Sequence, residues 1–294
     1  MSHEVDWKPG AVGRIRGLVR SALLAVLGDG GERRLHGWYH RVLRATGRFG
    51  LPEDKVTTAT LAAIAARSST IIDIGANVGI YAWFLRRHAG PHANLFALEP
   101  HPGASALLRD ALGGLAGCTV LDVAASDRDG TATLVVPDGA FGSPVSGLAW
   151  VEADAAPAQP DHLLVRVRRL DGLIEDGSVT VVGPVFVKID VEGGEGRVLG
   201  GAIDLLRNHR PIVYFECQAS SLARQGETPE SVWAIFREAR YRIFANQSGR
   251  FQPVTAVVAS IVNYLAIPDD QAAGSFDEMS IGPLLDAWAG ATLS

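Results

Sequence analysis

From residue 51 onward the hydrophobic pattern switches repeatedly between two periods, and that switching predicts the architecture. Apolar runs at Thr70–Ile74, Asn94–Glu99, Thr119–Ala124, Val185–Asp190 and Ile212–Glu216 read as buried parallel strands. Between them, apolar residues recur at helical spacing near Ile80–His88, Pro102–Leu112, Glu195–Leu206 and Pro229–Ala239. Tyr241–Ala245 and Ile261–Ile267 add two closing strands. Such alternation predicts an α/β fold: a doubly wound, mostly parallel seven-stranded sheet with right-handed crossovers.

Two stretches break the alternation. Val12, Ile15, Leu18, Val19, Leu23, Val26 and Leu27 form one helical stripe that Gly28–Gly31 ends, and a second helix-like stretch runs to about Arg48. Residues 1–50 therefore read as an N-terminal helical extension or cap, and residues 51–294 as the main domain. Within that domain Thr131–Val136 and Leu163–Arg168 read as extended. The Gly/Pro/Ala-rich residues around 136–163 read as a lid-like insertion bordering the active site.

Composition narrows the class. With 294 residues, 47% hydrophobic and 20% charged, the chain has the make-up of an ordinary soluble globular protein. The net charge of −5 divides into +5 over residues 1–50 and −10 over the rest. A basic arm before an acidic body argues against nucleic acid as partner. The amphipathic stretch 11–27 can pack on the main domain, on a second copy in a homo-oligomer, or against an anionic membrane surface. No transmembrane segment or signal-peptide order is visible, and Cys118 and Cys217 are expected to be buried reduced thiols. A cytoplasmic setting follows. His36 and His40 share a helical face at metal-ligand spacing, but no acidic or thiol ligand lies near them in sequence, so no metal is expected there.

The candidate chemistry starts at TIIDIGANVG, Thr70–Gly79. A strand ends on Asp73, and Gly75, Ala76, Asn77 and Gly79 form a turn into a helix, the place where open α/β sheets bind ligands. The dinucleotide fingerprint would need glycines at Asn77 and Ile80, so a nucleotide-like cofactor without a pyrophosphate fits better, with S-adenosylmethionine (SAM) leading. Glu99, ending the second strand, can accept hydrogen bonds from a ribose diol. Ser126 and Asp127, after the third, can meet an adenine edge. The densest cluster is VKIDVEGGEG: Lys188, Asp190 and Glu192 alternate with apolar residues and, if extended, project to one face. Three ionisable groups at the end of a buried strand call for partners or a purpose. Glu216 ends the fifth strand at the same sheet edge.

IDIGANVGIYAWFLRR, the acid in FALEPHP, AASDRDGTATL, VKIDVEGGEGRVLGGA and IVYFECQ arrive in an order that resembles the FkbM family of SAM-dependent methyltransferases. The resemblance runs over roughly Thr70–Pro268. It implies a Rossmann-like class I methyltransferase fold, SAM as cofactor, and O-methylation of a hydroxyl, often on a sugar of a glycoside, glycolipid or polyketide-type product. In that reaction Asp190 or Glu192 is the expected base and Lys188 the group that orients it. Metal dependence is not favoured; if present, Asp190, Glu192 and Glu216 would hold Mg²⁺. Two other classes stay open: a catalytically silent SAM-binding or assembly protein, and an NAD(P)-dependent oxidoreductase.

Overall fold

The structure is a computed structural model and describes residues 51–136, 149–152, 162–269, 285 and 288–290. The N-terminal extension, His36 and His40, and most of the expected insertion lie outside the described residues.

Helix α1 (Lys55–Arg67) opens the described fold, with the Asp54 side chain accepting from the Val56 and Thr57 amides at 2.8 and 3.1 Å. Then follow β1 (Thr70–Ile74), α2 (Ile80–His88), β2 (Asn94–Leu98), α3 (Pro102–Leu112) and β3 (Cys118–Leu121). Next come β4 (Ala124–Ala125), β5 (Gly130–Val135), β6 (Trp150–Glu152), β7 (His162–Arg168) and α4 (Leu170–Glu175). The chain continues through β8 (Val185–Ile189), α5 (Glu195–Gly200), a π turn (Leu205–His209) and β9 (Ile212–Glu216). It finishes with α6 (Ala219–Arg224), α7 (Pro229–Glu238), β10 (Tyr241–Gln247), β11 (Arg250–Val254) and β12 (Asn263–Pro268).

The main sheet has the order β3-β2-β1-β8-β9-β12-β10-β11. β3, β2, β1, β8 and β9 are parallel, and β12 and β10 close the sheet antiparallel. The doubly wound α/β class is as expected, but the sheet has eight strands, not seven. The addition, β11, forms a hairpin with β10 through Ser248-Gly249, both at positive φ; it is mostly exposed and shows little apolar pattern.

Side chains of the central strands alternate between two cores. Ile72, Ile74, Val185, Val187, Ile189, Val213 and Phe215 face one layer, while Ile71, Phe186, Ile212 and Tyr214 face the layer containing α1 and α2. Asp73 and Lys188 stand on this second side, directly opposite each other in the β1–β8 register.

Two predicted elements come out differently. The helix expected over Glu195–Leu206 stops at Gly200. A Cβ on Gly201 would lie 2.0 Å from the Ser126 carbonyl oxygen, so the chain turns where it crosses the loop after β4. The third strand ends at Leu121, and Ala124-Ala125 instead pairs with β7 in a second sheet, β4-β7-β5-β6. Ala149 and Val151, in the described part of the insertion, line the cleft described next, together with Leu134 of β5. Cys217 is buried as expected, whereas Cys118 is half-buried; both are free thiols.

Candidate active site

A cleft of about 220 Å³ opens at the carboxyl ends of β1, β2 and β8, the edge at which parallel α/β sheets bind ligands. It gathers Gly75, Ala76, Asn77, Glu99, Ser126, Lys188, Asp190 and Glu192, all of them residues the sequence singles out. Gly79, Asp73, Asp127 and Glu216 are not part of its lining.

Both glycines of the turn stand where a side chain would meet its neighbours. Gly75 has φ +71°, and a Cβ there would lie 1.9 Å from the Asp190 carbonyl oxygen. Its bareness lets the β1 turn press against the end of β8, rather than only making room for a ligand. Gly79, at φ +89°, faces Leu108 and Ala111, so it admits α3, not the sheet, against the start of α2.

Glu99 organises two loops. Its Oε2 accepts from the Asn77 amide at 2.8 Å and its Oε1 from the His101 amide at 2.8 Å. Burial pushes its carboxyl up to about 7 against those hydrogen bonds. Each carboxylate oxygen retains a second acceptor position, enough for a diol. His101 caps α3, its Nδ1 accepting from the Gly103 and Ala104 amides at 3.1 Å. The unprotonated Nδ1 places the ring's proton on Nε2. Sequence reasoning missed this residue, although its place just before Pro102 marks a cap. Ser126 is buried and donates to Asp127 Oδ1 at 3.1 Å, while Asp127 itself is exposed.

Lys188 is a buried hub. Its Nζ lies 3.3 Å from Asp73 Oδ1 and 3.3 Å from Asp190 Oδ2, and donates to the Gly75 carbonyl at 3.1 Å. Burial opposes its charge, but the Asp190 and Asp73 carboxylates outweigh burial and hold it above the ordinary lysine range. Asp73 is fully enclosed, and burial raises its carboxyl despite the Lys188 charge. Lys188 thus ties the β1 turn to the end of β8.

Beyond Ile189 the chain is no longer extended. Glu192 has φ +58°, and Gly193, at +109°, has no room for a Cβ beside the Ser221 carbonyl oxygen. This kink, rather than strand alternation, brings Glu192 to Asp190. Glu195 fixes it, its Oε1 accepting from the Val191 and Gly193 amides at 3.2 and 3.3 Å. The structure also delivers Glu216, and one oxygen each of Asp190, Glu192 and Glu216 lie within 4.8 Å of one another. Burial, then the Asp190 charge, lifts Glu192 to about 7. Burial, then Asp190 and Glu192, lifts Glu216 to about 8. The arrangement can take up a proton near neutrality, and its oxygens have the chemistry of a hard-cation site.

The mostly parallel sheet with its cleft at the carboxyl ends of the strands is the Rossmann-like α/β arrangement expected of a methyltransferase. The methyltransferase FkbM domain matches residues 73–243, and the chain belongs to that family. A 2-O-methyltransferase, NoeI, of Sinorhizobium fredii (strain NBRC 101917 / NGR234) is 30% identical over 174 residues, covering 54% of this chain and 67% of that protein. The crystal structure of methyltransferase FkbM from Methylobacillus flagellatus KT is 17% identical with a TM-score of 0.42, covering 68% of this chain and 44% of that one. The chain thus spans less than half the length of that structure. The O-methyltransferase from Bacillus cereus in complex with SAH has 12% identity and a TM-score of 0.42, covering 79% and 90% of the two chains.

Proposed function

We propose that this methyltransferase uses SAM to methylate a hydroxyl oxygen, with a sugar hydroxyl of a glycoside, glycolipid or polyketide-type product as the acceptor class. The observation that carries the reading is the placement of Glu192, poised near neutrality, in one cleft with the glycine turn and Glu99. The printed name of the rhizobial relative, a 2-O-methyltransferase, agrees with oxygen as the acceptor atom. The residues suit SAM: Glu99 keeps free acceptor positions for the ribose diol, and the Gly75–Asn77 turn borders the same space.

Bound SAM supplies an already activated methyl group. The protein's part is to hold the acceptor oxygen in line and to take its proton. Glu192 is assigned the proton, because Asp190 is already held in an ion pair with Lys188. Asp190 orients the acceptor hydroxyl, and Glu216 buffers the pair. The intact carboxylate cluster argues against a silent SAM-binding protein, and the glycine pattern argues against an oxidoreductase.

An acceptor screen with methyl-labelled SAM across glycosides, glycolipids and polyketides tests this, label on oxygen being the expected product. SAM binding without transfer to any hydroxyl acceptor would count against it. The 4.8 Å grouping of Asp190, Glu192 and Glu216 favours a second reading, in which they hold Mg²⁺. Turnover unchanged by EDTA is the expected result, and loss restored by Mg²⁺ would replace the base reading with the metal one.

A further inference from the structure

One wall of the cleft comes from outside the matched residues 73–243: Pro52 lines it, just ahead of α1. The next residue is a hub. Glu53 Oε1 accepts from the Tyr81 hydroxyl of α2 at 2.5 Å, the Tyr214 hydroxyl of β9 at 2.8 Å and the Asn263 side-chain amide of β12 at 3.1 Å. Asp54, besides capping α1, accepts from the Asn246 side-chain amide of β10 at 2.9 Å. Residues 52–54 are thereby strapped to one helix and three strands.

The strap reaches the charged row of the site. Register places Asp73, Lys188 and Tyr214 side by side on β1, β8 and β9. The Tyr81 ring lies 4.9 Å from Lys188 Nζ, at cation–π range, and Tyr81 also lines the cleft. Burial and the Glu53 carboxylate hold both phenols far above their ordinary range, so they serve as donors and not as bases. The methyl-transfer chemistry above uses neither tyrosine, nor Glu53.

We infer that Glu53 is a positioning residue of the cofactor cleft, fixing the Tyr81 ring on the Lys188 ammonium and Pro52 in the wall against which SAM binds. The choice of ligand rests on the proposed function; the hub itself does not. When the tie is cut, Tyr81 can turn, Lys188 loses its ring contact, and the hold on Asp190 and the Gly75 carbonyl loosens.

The test measures binding of S-adenosylhomocysteine by calorimetry, with the ultraviolet difference spectrum of the tyrosines alongside. Glu53→Ala is expected to weaken binding about tenfold, the size of one lost charge-assisted hydrogen bond. Glu53→Gln, whose amide oxygen still accepts, should stay within about threefold. Glu53→Ala should also move the tyrosine absorption band, because two buried hydroxyls lose their acceptor, and Glu53→Gln should move it less. Wild-type affinity in Glu53→Ala, equal losses in both variants, or an unmoved tyrosine band in Glu53→Ala overturns the inference. If Glu53→Ala does not fold, Tyr81→Phe, which keeps the ring but cuts the tie, takes its place with a loss of several-fold expected and none overturning the idea. Failure of the unaltered protein to bind S-adenosylhomocysteine counts against the proposed function instead, and the tyrosine band then decides the hub.

Discussion

Glu192 carries the sharpest chemistry at the scale of single residues, because three influences meet on it. Its left-handed backbone aims it at Asp190, burial and Asp190 raise its carboxyl to about 7, and Arg224 at 3.7 Å limits the rise. A base must be unprotonated, so methyl transfer should climb as pH rises through about 7 and then level off. Glu192→Gln should abolish that limb and cost about 10²-fold or more in kcat. Asp190→Asn removes the negative neighbour that raises Glu192, so the remaining limb should move to lower pH. A limb that survives in Glu192→Gln, or fails to move in Asp190→Asn, would transfer the base role elsewhere. The residues carrying this chemistry were legible as an ionisable cluster on an apolar strand, but their division of labour was not. Lys188 is expected from the sequence to orient the base; buried between Asp73, Asp190 and the Gly75 carbonyl, it is also the post on which the site is hung. Glu53 left no signal, since its partners stand 28, 161 and 210 residues away.

Among the elements, those that position the site are the ones whose period is cleanest. β1, β8 and β9 are buried over almost their whole length because both faces are covered, and each carries one charged residue, Asp73, Lys188 or Glu216, at or next to its carboxyl end. α2 and α3 follow their periods to the residue, while α5 ends beside Gly201, whose lack of a side chain admits a loop some 75 residues earlier that no local pattern records. The second sheet was half visible, as two extended stretches, but the switch of Ala124-Ala125 into it depends on pairing with β7. The β1 turn and the end of β8 act as one unit because Gly75 has no side chain. In Gly75→Ala the methyl would meet the Asp190 carbonyl oxygen at 1.9 Å in a left-handed backbone. The expected cost is about 3 kcal/mol of stability, from overpacking and backbone strain together. Urea unfolding measures it, and a near-neutral value would mean that the two segments can part without penalty.

The whole molecule concentrates uncompensated carboxyls at one sheet edge, and this sets how its stability responds to pH. Glu99, Glu192 and Glu195 are raised to about 7 and Glu216 to about 8, each chiefly by burial, from an ordinary 4.5. Between pH 4.5 and 8 the native state therefore holds more protons than the unfolded chain, so stability falls as pH rises through that window. His101, whose ring burial lowers, works the other way near 6.5, but it stands against these four, with Asp73 and Glu227 raised besides. The carboxyls lowered by partners, Asp54, Asp122, Asp129 and Asp176, change stability only below their ordinary 3.8 and leave this window untouched. Between pH 5.5 and 8.5 the melting temperature should drop by roughly 10 °C or more, since each group still protonated in the fold loses about 1 kcal/mol per pH unit and a domain of this size moves a few degrees per kcal/mol. Glu216→Gln, which removes the most raised of the four, should flatten the slope and gain most of its stability at the alkaline end. A melting temperature that holds or rises across the same range would mean that these acids are ionised at neutrality in the folded protein. That outcome would leave Glu192 able to accept the proton but would place the rise in activity well below pH 7.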